Sequence, residues 1–230
     1  MVKFLPEPDI QYAAQDVITS FERKHGSLTQ CVPIDDLVEQ HLGVHLDVFD
    51  NALLPEHFHG DVLGYIDLHA NSIGIHESIL PENSGNEGRY NFTLGHEAGH
   101  FVLHREQILA NAGQFNCFEQ DQEQTRYMAK RERDTSSGEW QADCFSSYLN
   151  MPTKLVHKHW LDFNESYRPL TLREIAEGFR PESREKYPWD ILAEIRLKKF
   201  AKKLRVSPKA LLIRLKKMEL ITEHKQFLLV

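Results

Sequence analysis

The amino-acid sequence predicts an α+β protein in which a small group of strands lies between helical segments. Three observations support this prediction. Apolar residues recur at helical spacing in residues 8–26, and again in residues 89–106 and 138–151. Between the first two of these segments, residues 44–78 alternate apolar and polar side chains as strands do. Helical patterns then continue from residue 171 to residue 221.

Composition excludes several classes of protein without choosing a function. The 230 residues have a formal net charge of −7 and a hydrophobic fraction of 41%, as in ordinary globular proteins. No apolar run approaches the length of a membrane span, and the first residues lack the pattern of a secretory signal. Cys31, Cys117 and Cys144 are odd in number and show no CxxC spacing. We therefore expect a cytoplasmic protein without a disulfide framework.

The first predicted helix spans residues 8–26, with Pro8 at its start and Gly26 at its end. A shorter helix is predicted after Pro33. Three strands follow.

The strands are predicted over residues 44–50, 61–68 and 72–78, and the turn-prone His-Ala-Asn between the last two predicts a hairpin. Residues 80–88 are rich in Pro, Asn, Ser and Gly, which predicts a loop. The segment from 119 to 137 is crowded with charge and poor in core residues, so we expect an exposed excursion between two helices.

The stretch GHEAGHFVLH, residues 95–104, carries an HExxH spacing. In a helix, positions i and i+4 lie one turn apart on the same face, so His96 and His100 can bind one ion. Glu97 is displaced by about 100° around the axis and can approach a water molecule beside the ion. Because so short a pattern also arises by chance, its surroundings must support a metal site.

The sequence offers a third ligand on a second helix. Three protein ligands leave one position of a tetrahedral zinc ion open for water. In EWQAD, Glu139 and Asp143 again stand at i and i+4. Glu139 can complete a site of two His and one Glu. Asp143 can accept the second N–H of His96 or His100, as carboxylates commonly do for histidine ligands.

His104 also follows His100 by four residues, but it lies about 6 Å further along the helix axis, too far for an ion held between His96 and His100. Two interpretations stay open. His104 may support the site or face the substrate, or it may be a partly buried histidine bonded to a backbone carbonyl.

At these residues the chain resembles the ImmA/IrrE family of zinc-dependent metallopeptidases. The matching stretches are GYIDLHANSIGIHES, GRYNFTLGHEAGHFVLH and EWQADCFSSYLNMP. The similarity as a whole covers roughly residues 10–155 and, more weakly, the C-terminal helices. The residues that agree around the HExxH and around Glu139 are Arg89, Phe92, Thr93, Leu94, Ala142, Phe145, Leu149, Met151 and Pro152. Gly95 and Asn150 depart from the alanine and leucine that are common in the family.

The resemblance implies a gluzincin-like α+β domain with a small antiparallel sheet packed beside the active-site helices. It implies that His96, His100 and Glu139 bind zinc and that Glu97 is the general base. It further implies that the final strand of the sheet offers its edge to an extended substrate. The residues of that strand are Ser72, Ile73, Gly74, Ile75 and His76.

Well-studied members of the family cleave helix-turn-helix repressors and so relieve repression after stress or in mobile elements, and others are encoded beside antitoxin-like partners. The implied function is a zinc-dependent endopeptidase acting on a protein partner, a transcriptional repressor or an antitoxin. We expect a further donor to the oxyanion, and His104, Tyr127 and Tyr148 are the candidates.

We expect the metallopeptidase domain to span residues 1–155 and a helical region to span residues 156–230. Within the latter, residues 191–221 resemble a helix-turn-helix pair and are rich in Lys and Arg. The lysines that could contact DNA are Lys198, Lys199, Lys202, Lys203, Lys216 and Lys217. The sequence favours the alternative, in which the pair packs on the rest of the chain and leaves its lysines in solvent.

Two other functions stay open at this point. The first is a DNA-binding regulator whose metal site only holds structure, which a fourth protein ligand would favour. The second is a catalytically silent, zinc-dependent binding module, which would lose nothing on Glu97→Gln substitution.

Overall fold

The computed structural model of the protein describes residues 2–50, 62–84, 86–115, 126–128 and 137–222. The chain forms two compact units. The first consists of Met1–Leu28 and Val32–Asn150, and the second of Thr29–Cys31 and Met151–Val230. The boundary between the two units lies between Asn150 and Met151. The predicted division into two domains after residue 155 stays a prediction.

The first unit begins with helix α1, Glu7–His25, as predicted. It starts directly after Pro6 and ends where Gly26 takes a φ of +93°, which favours glycine. Its buried face consists of Ile10, Ala14, Val17, Ile18 and Phe21. The short helix predicted next is α2, Ile34–Asp36, which continues as a π-helical turn over Leu37–His41.

A four-stranded sheet follows α2, and its strands are β1 (His45–Phe49), β2 (Gly64–Asp67), β3 (Ser72–His76) and β4 (Arg126–Met128). The order across the sheet is β1-β3-β2-β4. β2 and β3 form the predicted antiparallel hairpin, and β4 is antiparallel to β2.

β1 pairs with β3 in parallel, so the sheet is mixed rather than wholly antiparallel as the resemblance implied. The chain passes through β2 before it reaches β3, and this supplies the crossover connection that a parallel pair requires.

The predicted docking of substrate on residues 72–76 is wrong, because β3 is not an edge strand. It lies between β1 and β2, with Ser72 opposite His45 on one side and Gly74 opposite Tyr65 on the other. The Tyr65 ring also covers Gly74, since a Cβ there would lie 2.2 Å from Tyr65 Cε1. Neither the edges of β3 nor this part of its face is open to an extended peptide.

Three further helices complete the first unit: α3 (Pro81–Ser84), α4 (Glu87–Phe115) and α5 (Ser137–Asn150). The stretch 80–88, predicted as a loop, therefore contains α3 and the start of α4. α4 is longer than the predicted 89–106. Of the charged excursion, β4 and Ser137 at the start of α5 are described, and residues 119–125 and 129–136 lie outside the described ranges.

Helices α4 and α5 approach each other closely because glycines of α4 face α5. A Cβ on Gly99 would lie 3.1 Å from Ala142 Cα, and a Cβ on Gly95 would lie 2.6 Å from Asn150 Nδ2. The two residues that depart from the family pattern, Gly95 and Asn150, are therefore in contact.

Polar side chains of α5 also bond to the backbone of α4. The Ser146 hydroxyl donates to the Phe92 carbonyl at 2.8 Å, and Asn150 Nδ2 donates to the Asn91 carbonyl at 3.0 Å. Both side chains are buried, and each hydrogen bond crosses from one helix to the other. These bonds and the glycine contacts fix the separation of the two helices.

The second unit is helical except for a short parallel pair between β5 (Leu170–Thr171) and β6 (Ile221–Thr222). Its helices are α6 (Thr153–Asn164), α7 (Leu172–Ala176), α8 (Pro181–Lys186), α9 (Trp189–Leu204) and α10 (Pro208–Lys217). Its core contains Trp160, Leu197, Phe200, Leu211 and Leu215.

At the turn between α9 and α10, Arg205 ends α9 in the left-handed region, and the Ser207 hydroxyl accepts the Ala210 N–H at 3.1 Å. Of the helices that the structure describes, none has the length and apolar character needed to span a bilayer.

Candidate metal centre

Two side chains of α4 and one of α5 converge on a single point. His96 Nε2 lies 3.1 Å from His100 Nε2 and 3.1 Å from Glu139 Oε2, and His100 Nε2 lies 3.4 Å from Glu139 Oε1. Both histidines are buried, and the Glu139 side chain is 14% exposed. The three residues are compatible with a metal site, since their ligand atoms all lie within 4.8 Å of one another.

These separations match the donor set of a tetrahedral zinc ion. With zinc–ligand bonds of 2.0–2.1 Å and tetrahedral angles, neighbouring donor atoms are about 3.3 Å apart. Two imidazoles and one carboxylate are also the donors found in zinc peptidases of this arrangement. The protein atoms therefore fit the ion that the resemblance implies.

Asp143 holds His96 from the far side of its ring. Its Oδ1 lies 2.8 Å from His96 Nδ1. A carboxylate accepts and cannot donate, so Nδ1 carries a proton, and a neutral His96 would keep the lone pair of Nε2 for an ion. This is the usual support of a histidine ligand by a carboxylate, and of the two histidines it is His96 that receives it.

His104 contacts His100 at Nδ1, the ring nitrogen that does not face His96 and Glu139. The two Nδ1 atoms lie 3.1 Å apart, and both rings are fully buried. His104 is thus in contact with a ligand residue and does not face solvent, which excludes a substrate-facing position. A metal-binding His100 must donate from Nδ1, so His104 Nδ1 is the acceptor.

Glu97 lies beside the three converging residues with its carboxylate buried. It has no exposed surface, and neither of its oxygens has a hydrogen-bond partner among the residues that the structure describes. An unpartnered buried carboxylate is costly unless another group joins it. Gly64 of β2 covers this side chain: a Cβ on Gly64 would lie 3.0 Å from Glu97 Oε1.

Burial and hydrogen bonding shift the pKa values of the converging residues in opposite directions. Burial lowers the pKa of His96, but its hydrogen bonds to Asp143 and Glu139 outweigh burial and raise that pKa to about 10. Burial raises the pKa of Glu139, but its hydrogen bonds to His100 and His96 bring it well below the ordinary value. Burial raises the pKa of Glu97 to about 8.

Burial has the opposite overall effect on the pKa values of the other two histidines. Burial lowers the pKa of His100. Burial, together with the nearby His100, lowers the pKa of His104 to about 4. Neutral imidazole is the form that binds a metal or passes a hydrogen bond from one ring to the next.

One of the expected oxyanion donors, Tyr148, does not join the site, and the expectation for Tyr127 stays a prediction. The Tyr148 hydroxyl donates to Glu7 at 2.5 Å, and Tyr148 lies nine residues beyond Glu139, about 13 Å along α5. The side chain of Tyr127 is outside the described part of the structure. The sequence analysis also missed Gly64, which packs against Glu97.

The sequence also has two His-x-His spacings, at residues 57–59 and 157–159, which in a strand would place both rings on one face. His157 and His159 lie on helix α6, so they do not share a face as they would in a strand. His159 is buried, and its Nε2 donates to the Gln30 carbonyl at 2.7 Å. Cys31 and Cys144 are free and half-buried. Residues 57, 59 and 117 lie outside the described ranges.

The lysines of the α9–α10 pair lie at the surface of the second unit, and two of them are paired with aspartates. Lys203 Nζ lies 3.2 Å from Asp162 Oδ2, and Lys216 Nζ lies 2.8 Å from Asp190 Oδ1. Exposed pairs of this kind contribute little to stability.

Comparison with known proteins adds one finding to this geometry. The family model described as the IrrE N-terminal-like domain, Peptidase_M78, matches residues 55–216, which is well over half of the chain. The match includes His96, His100 and Glu139. No curated protein matches the chain.

Proposed function

Because the chain belongs to the Peptidase_M78 family, that of the IrrE N-terminal-like domain, we propose that it is a zinc-dependent endopeptidase that hydrolyses a peptide bond in a protein partner. One observation carries this proposal more than any other. His96, His100 and Glu139 come from two helices and meet at donor separations of 3.1–3.4 Å beside a buried carboxylate that lacks a partner.

His96, His100 and Glu139 would hold the ion. When bound, zinc supplies Lewis acidity that lowers the pKa of a water molecule and polarises the substrate carbonyl. Asp143 and His104 fix the two imidazoles so that Nε2 of each faces the ion.

Glu97 is the general base of the proposed reaction. It accepts a proton from the attacking water and returns this proton to the amine that leaves. Its buried position keeps competing water away, and Gly64 holds it against β2. A positive charge beside it would lower its pKa from about 8 and produce the carboxylate form that a base requires.

The partner we propose is a transcriptional repressor of the helix-turn-helix class or an antitoxin, cut in the cytoplasm as part of a stress response. Support comes from the resemblance of GRYNFTLGHEAGHFVLH and EWQADCFSSYLNMP to peptidases that act on such proteins. The substrate would be bound elsewhere than on β3, since both edges of that strand are paired.

The test combines metal analysis with intact mass spectrometry. Zinc-loaded wild type, Glu97→Gln and Glu106→Gln are each incubated with candidate repressors and antitoxins. Glu106 provides the matched control, because it lies on the same helix α4 with its side chain exposed. We expect one zinc per chain in all three proteins, with cleavage by wild type and Glu106→Gln and none by Glu97→Gln.

Two outcomes would contradict the proposal. Equal cleavage by Glu97→Gln would remove Glu97 from the mechanism. Zinc-dependent capture of a partner that wild type leaves intact would favour a silent binding module.

A further inference from the structure

Residues 3–5, which precede α1, bind to the beginning of α5 through one buried side chain. Gln141 of α5 has no exposed surface. Its Oε1 accepts the N–H of Leu5 at 3.2 Å, and its Nε2 donates to the carbonyl of Lys3 at 3.4 Å. A single amide thus binds backbone atoms two residues apart, which fixes the position of this segment along the helix. We call residues 3–5 the strap.

Two further contacts join the strap to both active-site helices. The backbone N–H of Lys3 donates to Gln107 Oε1, on α4, at 2.6 Å. The ring of Phe4 stacks on the ring of Trp140, on α5, with centroids 5.9 Å apart and planes 10° from parallel. Stacked aromatic pairs at this separation attract each other beyond the effect of the area they bury. The strap therefore connects the two helices that carry the proposed metal ligands.

The strap contacts α5 directly beside Glu139. Glu139 lies in the first turn of α5, where backbone N–H groups have no partner within the helix and helix ends fray. Trp140 and Gln141 are the next two residues, and Gln141 Nε2 also donates to the hydroxyl of Ser137, the first residue of the helix, at 2.9 Å. A ligand in such a turn keeps its position only if contacts outside the helix hold the turn in place.

The packing contacts between α4 and α5 lie further along α5. Those at Ala142, Ser146 and Asn150 hold the helix from its second turn onward. On α4, Gln107 lies seven residues after His100, about 10 Å along the axis. The strap therefore adds a connection between α4 and α5 at the end of α5 that carries Glu139.

We propose that the strap positions Glu139 for metal binding. By holding the first turn of α5, it keeps the carboxylate 3.1 Å from His96 Nε2 and 3.4 Å from His100 Nε2. Phe4 and Gln141 are positioning residues in this arrangement, since neither is a ligand. The role depends on the metal site of the proposed function but not on proteolysis. The family-model match begins at residue 55, so the strap lies outside the matched domain.

Full-length variants of Phe4 test this role. Phe4→Ala removes the stack on Trp140, and Phe4→Tyr keeps it. Tyr12→Ala is the matched control, because Tyr12 is an aromatic residue of α1 that is 75% exposed. Zinc affinity is measured by chelator competition, and the ligand field by the visible absorption of the Co²⁺ form. Amide hydrogen exchange of the metal-free protein measures the order of the first turn of α5.

We expect Phe4→Ala to weaken zinc binding by about 2- to 10-fold, the effect of losing one aromatic pair, and to shift the Co²⁺ spectrum. Exchange should become faster at residues 141–143, whose N–H groups bond to carbonyls of the first turn, and stay unchanged at residues 146–150. Phe4→Tyr and Tyr12→Ala should match wild type.

Wild-type zinc affinity in Phe4→Ala would overturn the proposal, whatever the exchange rates. Losses of the same size in Phe4→Tyr or Tyr12→Ala would also overturn it, because the stacked ring would then not be responsible.

A double variant tests whether the strap acts as a unit. Gln141→Leu keeps the approximate size of the side chain but removes both bonds to the strap backbone. Because the released backbone no longer holds Phe4 on Trp140, adding Phe4→Ala should cost less zinc affinity than it does in wild type. An equal or larger cost would contradict the proposal.

If Gln141→Leu does not fold, the Phe4 variants decide the question alone. Wild type that binds no zinc would instead refute the proposed function. The two failures are distinguishable, because exchange in the metal-free protein reports on the strap without zinc.

Discussion

The ring of His96 donates from Nδ1 to Asp143 at 2.8 Å, while its Nε2 faces His100 and Glu139. One nitrogen of the imidazole thus bonds to a carboxylate, and the other faces the position where a metal would bind. The Asp143 side chain is 55% exposed, whereas the His96 side chain is 9% exposed. Asp143 therefore orients a buried ligand from the protein surface, where it can be replaced without opening a cavity.

The first prediction concerns Asp143→Ala. Removal of the carboxylate frees the His96 ring to rotate and lowers its basicity, so zinc affinity should fall by about 10- to 100-fold. Chelator competition measures this change. Asp16→Ala, an exposed position of α1, is the control and should bind zinc as wild type does. Wild-type affinity in Asp143→Ala would show that the hydrogen bond has no part in metal binding.

The second prediction concerns Gly64, which lies over the proposed base. An added methyl group would meet Thr93 Cγ2 at 2.8 Å and Glu97 Oε1 at 3.0 Å, so Gly64→Ala must displace the carboxylate. Zinc content should stay unchanged because the displaced group is not a ligand. The rate of peptide cleavage should fall, by up to about 100-fold for a shift near 1 Å.

Gly178→Ala is the control for this substitution, since a Cβ there would meet the Arg196 side chain at an ordinary 3.6 Å. It should leave both zinc content and cleavage unchanged. If Gly64→Ala cleaved the partner at the wild-type rate, the position of Glu97 against β2 would be irrelevant to the reaction.

The grouping of His96, His100 and Glu139 could be predicted from the sequence because the spacing within each helix is a matter of local geometry. The i, i+4 spacing places His96 with His100 on one helix face, and Glu139 with Asp143 on another, whatever the rest of the fold does. The missed helix α6 could also have been found. Leu155, Val156, His159 and Trp160 repeat at helical spacing and are its buried face.

The features that were missed or wrong depend on contacts between distant residues. The neighbours of β3 are set by pairing with β1, some 27 residues earlier, and no local pattern specifies that order. Gly64 matters because it packs against the side chain of Glu97, which lies a similar number of residues away in the sequence.

The third prediction concerns the close approach of α4 and α5. A methyl group on Gly99 would lie 3.1 Å from Ala142 Cα and 3.3 Å from its carbonyl oxygen, and backbone cannot move aside as a side chain can. Gly99→Ala should therefore cost about 1–3 kcal/mol of overpacking, which exceeds the roughly 1 kcal/mol that alanine returns through helix propensity. Urea unfolding measures the loss.

The same substitution should weaken zinc binding, because Glu139 lies on α5 and both histidines lie on α4. Gly95→Ala provides a comparison. Its methyl group would meet the side-chain atoms Asn150 Nδ2 and Ser146 Oγ, so Ser146→Ala should relieve part of its cost. A Gly99→Ala protein with wild-type stability and zinc affinity would mean that the helices can separate freely.

The fourth prediction concerns the start of α7 in the second unit, where Thr171 and Glu174 form a capping box. Glu174 Oε2 accepts the backbone N–H of Thr171 at 2.7 Å, and Thr171 Oγ1 accepts that of Glu174 at 3.1 Å. The backbone hydrogen bond from Thr171, followed by the side-chain bond from Arg168, lowers the pKa of Glu174 from its ordinary 4.5.

A carboxylate whose pKa is lower in the folded state than in the unfolded state stabilises the fold above the unfolded pKa. That contribution is lost as the pH falls through the folded pKa. The free energy of unfolding of wild type should therefore exceed that of Glu174→Gln at neutral pH, and the difference should shrink once the pH drops below about 4.5. Urea unfolding of both proteins across this range measures it. A difference that grows on acidification would mean that the protonated side chain is the better cap and that charge is not what stabilises this helix start.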